Sequence, residues 1–116
     1  MTVVRVLLLL TFTVIAQAAQ AITGDKAEFK KVADDVYAFV GKLNDANALV
    51  VVTTQGVVVV DPGNNPPETR LLQNFIKSVT NQPVRYVIIT QNHGDHAGGT
   101  PAFAPPAHVI VQDRVA

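Results

Sequence analysis

Four positions hold two imidazoles and a carboxylate, in the order His93-x-Asp95-His96, within Thr90-Gln91-Asn92-His93-Gly94-Asp95-His96-Ala97-Gly98-Gly99. Neutral imidazole and carboxylate are the usual ligands of zinc and related divalent ions. Along an extended segment His93 and Asp95 would face one way and His96 the other. The three converge only if the backbone turns here, and Gly94 permits a turn. The alternative is a polar turn whose side chains satisfy only the backbone, but Asp and Gly suffice for that and two histidines add nothing to it. The spacing predicts a metal-binding loop.

The segment resembles the signature of the metallo-β-lactamase superfamily, Thr-His-x-His-x-Asp-His-x-Gly-Gly. It matches at Thr90, His93, Asp95, His96, Gly98 and Gly99, and Gln91 stands where the pattern has its first histidine. The resemblance implies that His93 belongs to a first metal site and Asp95 with His96 to a second. It makes Gln91 a weak substitute ligand of the first, since an amide oxygen binds zinc less well than imidazole nitrogen. From the residues themselves, Gln91 stays open between weak ligand, hydrogen-bonding neighbour and bystander. Asp61, at the tip of a valine run in Asp61-Pro62-Gly63, matches a family aspartate that buttresses the metal loop without binding metal. Its bland reading is a turn-forming residue. His108 stands alone and is left out of the site.

The resemblance implies an α/β fold: the first half of an αβ/βα sandwich, a mixed sheet with helices on one face. It extends from about Glu28 to about Arg114. The expected activity is metal-dependent hydrolysis by a metal-bound hydroxide, with zinc, as one or two ions, the expected cofactor and iron the other candidate. Asp95 is the expected catalytic residue, as a ligand that also orients the nucleophile. The substrate would be a small molecule. The remaining family ligands fall in a second half, so the chain is expected to be incomplete and inactive by itself. The rival reading is a non-catalytic metal-binding or interaction domain, and self-association through the exposed half-sandwich face is a further expectation.

Other elements must position that loop. Glu28 to Gly41 reads as two strands about a turn at Asp34-Asp35, followed by a turn at Asn44-Asp45. Ala48–Thr53 and Val57–Val60 read as a hairpin through Gln55-Gly56. Asn65, Pro66, Pro67 and Glu68 mark a helix start with Asn65 as its cap. Behind it Leu71, Leu72, Phe75, Ile76 and Val79 form an apolar stripe. Val84 to Thr90 is a strand that delivers the loop, Thr100 to Ala104 a short helix stopped by Pro105-Pro106, and His108 to Val111 a last strand.

The 116 residues contain 9 Lys and Arg, 9 Asp and Glu, no cysteine, and 48% hydrophobic residues. That composition suits one small globular domain with no disulfide framework or thiolate chemistry, and no basic excess points to nucleic acid. Arg5, the apolar run Val6–Ile15 and the small residues Ala16, Ala18, Ala19 and Ala21 predict a signal peptide over 1–21. The run is too short for a stable membrane span. The expected location is the periplasm or the medium, with a mature domain over 22–116.

Overall fold

The computed structural model describes residues 27–41, 46–64 and 66–114. The signal peptide expected over 1–21, the turn at Asn44-Asp45 and the Asn65 cap lie outside these residues.

The β-branched and aromatic runs form one six-stranded sheet in sequence order: β1 (Glu28–Ala33), β2 (Val36–Val40), β3 (Ala48–Thr53), β4 (Gly56–Val60), β5 (Val84–Ile89) and β6 (His108–Val111). Strands β1 to β4 are antiparallel neighbours. A two-residue turn at Asp34-Asp35 joins β1 to β2, with Asp35 in the left-handed region at φ 58°. A second, at Thr54-Gln55, joins β3 to β4 and is closed by the Thr53 hydroxyl donating to Gly56 O at 2.7 Å.

After β4 the sheet turns parallel. Helix α1 (Pro66–Val79) carries the chain from β4 to β5, and the segment holding α2 (Gly94–Ala97) and a 3-10 turn (Thr100–Ala102) carries it from β5 to β6. Two parallel neighbours require such crossovers. As a result, the C-terminal ends of β4 and β5 lie side by side, and Asp61 follows one and Thr90 the other. The ladder continues one step past β4, where Asp61 N donates to Ile88 O at 2.9 Å.

One sheet face packs against α1. Phe39, Ala48, Val50, Val57, Val59, Val87 and Ile89 join Leu72, Ile76, Phe103 and Ala107 in a single buried cluster. Each Val, Leu, Ile or Phe of the cluster contributes about 1.5–3 kcal/mol of transfer free energy when fully buried. The ladder is irregular between Val57 and Val58, which pair with Val84 and Tyr86, so Arg85 is the extra residue and Val84 and Val87 both face the core.

The buried stripe of α1 differs from the expected one. Thr69, Leu72 and Ile76 are buried with Glu68, whereas Leu71 and Val79 are exposed. The stripe that α1 turns to the sheet is centred on positions 69, 72 and 76, which leaves Leu71 to one side. Phe75, on the flank, stacks on Phe29 with ring centroids 3.8 Å apart and meets the edge of Tyr37. The 3-10 turn spans Thr100–Ala102, shorter than expected, and α2 forms within the stretch read as a metal-binding loop.

The opposite sheet face is also apolar. Alternation puts Val58, Val60, Tyr86, Ile88, His108 and Ile110 there, with Tyr86 and Ile110 exposed. No helix among the described residues is long and apolar enough to cross a membrane.

Candidate metal centre

The site lies where β4 and β5 end together, the edge at which α/β sheets gather functional groups. Asp61 takes a left-handed backbone conformation, φ 50°, just before Pro62. Such a conformation is uncommon outside glycine and is tolerated by Asp. It points the buried carboxylate across to the neighbouring strand end. There Oδ1 accepts from Thr90 N at 2.9 Å, and Oδ2 accepts from Thr90 Oγ1 at 2.5 Å. His96 Nδ1 donates to the same Oδ2 at 3.0 Å. Burial alone would raise the Asp61 pKa, but the Thr90 hydroxyl, the Thr90 amide and His96 outweigh it and hold the carboxyl below its ordinary value.

Asp61, expected beside the loop, thus bonds to the ring of His96. With Nδ1 bonded to a carboxylate, Nε2 is the nitrogen left to face outward, an arrangement common around metal-binding histidines. Asp95 Oδ2 lies 3.6 Å from His96 Nε2. Two donors on one tetrahedral zinc stand roughly 3.4 Å apart, given bond lengths near 2.0–2.2 Å. Asp95 and His96 thus fit one edge of a metal site.

Helix α2 is what converges them. His93 is its cap residue, with extended backbone, and its carbonyl accepts from His96 N and Ala97 N, both at 3.0 Å. This single helical turn brings the side chain of His96 inward to Asp61. His93 itself is exposed, and among the described residues no three His, Cys, Asp or Glu side chains converge as a metal-binding group. Of the four expected ligands, Asp95 and His96 come together, His93 stands outside that pair, and Gln91 meets His96 with Nε2 at 2.7 Å from the ring Nε2. A catalytic zinc takes three protein ligands, and the described donors that converge fall short of that number.

The glycine pair has a packing reason. Gly99 N donates to Gly63 O, and a Cβ on Gly99 would run into the carbonyls of Pro62 and Gly63. A Cβ on Gly98 would strike the Asn64 side chain and the Gly94 carbonyl. Segment 61–64 is therefore pressed directly against the loop. Ala46 N, donating to Asp95 O at 3.2 Å, holds the loop from the side of β3. Two contributors were not assigned a role from the sequence. Thr90 enters the sequence reading only as part of the motif, and Asn64 only as a residue of the helix start.

Comparison with known proteins gives a consistent answer. The family model of the metallo-beta-lactamase superfamily matches residues 41–111. Among solved structures, a metallo-beta-lactamase from Pontibacter korlensis is 26% identical with a TM-score of 0.64, covering 78% of this chain and 46% of that one. One from Hirschia baltica is 24% identical with a TM-score of 0.67, over 78% of this chain and 45% of its own. FIM-1 from Pseudomonas aeruginosa, in its mono-zinc form, is 19% identical with a TM-score of 0.65, over 78% and 43%. The chain thus spans somewhat less than half the length of these structures. No curated protein matches it. The mixed sheet with its helices is one half of the metallo-beta-lactamase α/β fold, and the chain belongs to the metallo-beta-lactamase superfamily.

Proposed function

We propose that this chain is part of an exported, zinc-dependent hydrolase of small molecules, with Asp95 and His96 among its metal ligands. The observation that carries the proposal is the chain of contacts from Thr90 through Asp61 to His96, which aims His96 Nε2 to the side where Asp95 Oδ2 lies.

Bound zinc would supply Lewis acidity, which brings the pKa of water to about 7 and polarises a scissile carbonyl or phosphoryl oxygen. The chain's own residues do the rest. Asp61 holds the hydrogen of His96 at Nδ1. Asp95, whose side chain is 45% exposed, has one oxygen beside His96 Nε2 and a second free to accept a hydrogen bond from the attacking water and orient it. His93, at the mouth of the same loop, is the third candidate ligand, and further donors come from outside the described residues. β-Lactams, thioesters and phosphodiesters are the substrate classes to try; iron in place of zinc would redirect the site to oxidation. The apolar run and small residues of 1–21 support export to the periplasm or the medium.

The exposed apolar face suggests a second reading. Tyr86 and Ile110, beside the half-buried Ile88, would favour self-association of a metal-binding domain without catalysis. Equilibrium dialysis against zinc and a hydrolysis panel on the full-length gene product separate the two. Zinc retention with turnover of one panel class, both lost in His96→Ala and Asp95→Ala, is the expected result. Zinc retention without turnover favours the non-catalytic domain, and no retention overturns both. Mass spectrometry of the secreted form tests export, with a mature terminus near Ile22 expected.

A further inference from the structure

The contact between Gln91 and His96 has a direction, and Asp61 sets it. The Asp61 carboxylate already accepts the Thr90 amide and hydroxyl, so it is also an acceptor toward His96, and the ring hydrogen lies on Nδ1. Nε2 then presents only a lone pair. The group of Gln91 that sits 2.7 Å away must be the donating end of its amide. That lone pair is also the one a metal would take.

We propose that Gln91 is an internal competitor for the metal at His96. Its amide caps the imidazole lone pair while the site is metal-free, and has to swing away before His96 joins Asp95 on an ion. This rests on the metal-binding reading above and departs from the role the resemblance implies, in which Gln91 is a weak ligand alongside His93. Gln91 is half-buried and meets His96 among the described residues. The effect is to lower metal affinity at an otherwise preorganised pair and to make loading reversible. Because one neutral hydrogen bond is exchanged, the effect is about five-fold in affinity.

Sign decides between competitor and ligand. The metal-free full-length gene product is titrated with zinc and with cobalt against a chelating indicator, alongside Gln91→Met, which keeps the bulk but cannot donate, and Gln91→Ala. Both variants should bind about five-fold more tightly. Weaker or unchanged binding would overturn the competition and leave the metal reading standing. Binding by none of the three chains would overturn both. Long-range nitrogen–proton spectra of the unsubstituted, metal-free chain give a readout that depends on no variant. They should show the His96 hydrogen at Nδ1, and a hydrogen at Nε2 would overturn the competition.

Discussion

Asp61 and His96, 35 residues apart, meet at 3.0 Å through Oδ2 and Nδ1, and the same oxygen accepts the Thr90 hydroxyl at 2.5 Å. This junction joins the end of β4, the end of β5 and the turn of α2. Its removal should therefore be felt in the fold and at the site together. Asp61→Ala strips three donors of their acceptor and is expected to cost about 3 kcal/mol of stability, in line with loss of charge-assisted bonds. Zinc affinity should fall about 10- to 100-fold, as for other residues that orient metal-binding histidines. Urea unfolding and chelator competition measure the two. A variant as stable and as zinc-binding as the parent would refute the role of the junction.

The same carboxylate predicts an acid limb of stability. Its folded pKa lies below the ordinary 3.8, because the Thr90 and His96 bonds outweigh the opposing effect of burial. A group depressed on folding stabilises the protein fully above its unfolded value. That contribution is lost as pH falls from about 3.8 through the lower folded value. Urea midpoints taken at descending pH should fall across this range, and Asp61→Asn should flatten the fall. An equal slope in the variant would assign the acid limb to other groups.

Gly98 and Gly99 should respond differently to a methyl group. At Gly99 the obstacles are backbone carbonyls of Pro62 and Gly63, so Gly99→Ala is expected to cost about 2 kcal/mol or more, whatever the neighbouring side chains. At Gly98 the nearest obstacle is the Asn64 side chain, with the Gly94 carbonyl behind it. Part of the loss in Gly98→Ala should therefore be recovered in an Asn64→Ala background. Thermal denaturation of the single and double variants tests the coupling, and strict additivity would contradict it.

Neighbouring leucines on α1 should behave as opposites. Leu72 is fully buried and Leu71 is 42% exposed. Leu72→Ala is expected to cost about 2–5 kcal/mol through lost burial and a residual cavity. Leu71→Ala should stay within about 0.5 kcal/mol, as for most surface changes. Denaturant midpoints decide, and comparable losses would place α1 in the wrong rotation.

If the uncovered sheet face mediates self-association, charges there should abolish it. Tyr86→Glu and Ile110→Lys lie on adjacent strands of that face, and either should shift the sedimentation of the chain toward monomer. A parent chain that is monomeric at every concentration would remove this expectation.

The amino-acid sequence determined most of the elements, because their causes are local. Runs of β-branched residues bounded by Asp34-Asp35 and Gln55-Gly56 favour hairpins, and prolines just before Glu68 favour a helix start. The pairing of Asp95 with His96 was legible from their adjacency, whereas His93, expected to join them, stands apart among the described residues. Tertiary structure decided which of these groups meet. His96 rather than His93 faces Asp61, because the loop winds into the single turn of α2 and a helical turn rotates side chains as no extended segment does. Gln91 turned out to be a partner of that same ring, a relationship set by strand ends 29 residues apart, Asp61 and Thr90, that only the parallel pairing of β4 and β5 brings together. The rotation of α1, with Leu72 inward and Leu71 outward, likewise follows from the sheet it lies on, since the apolar pattern alone accommodated both.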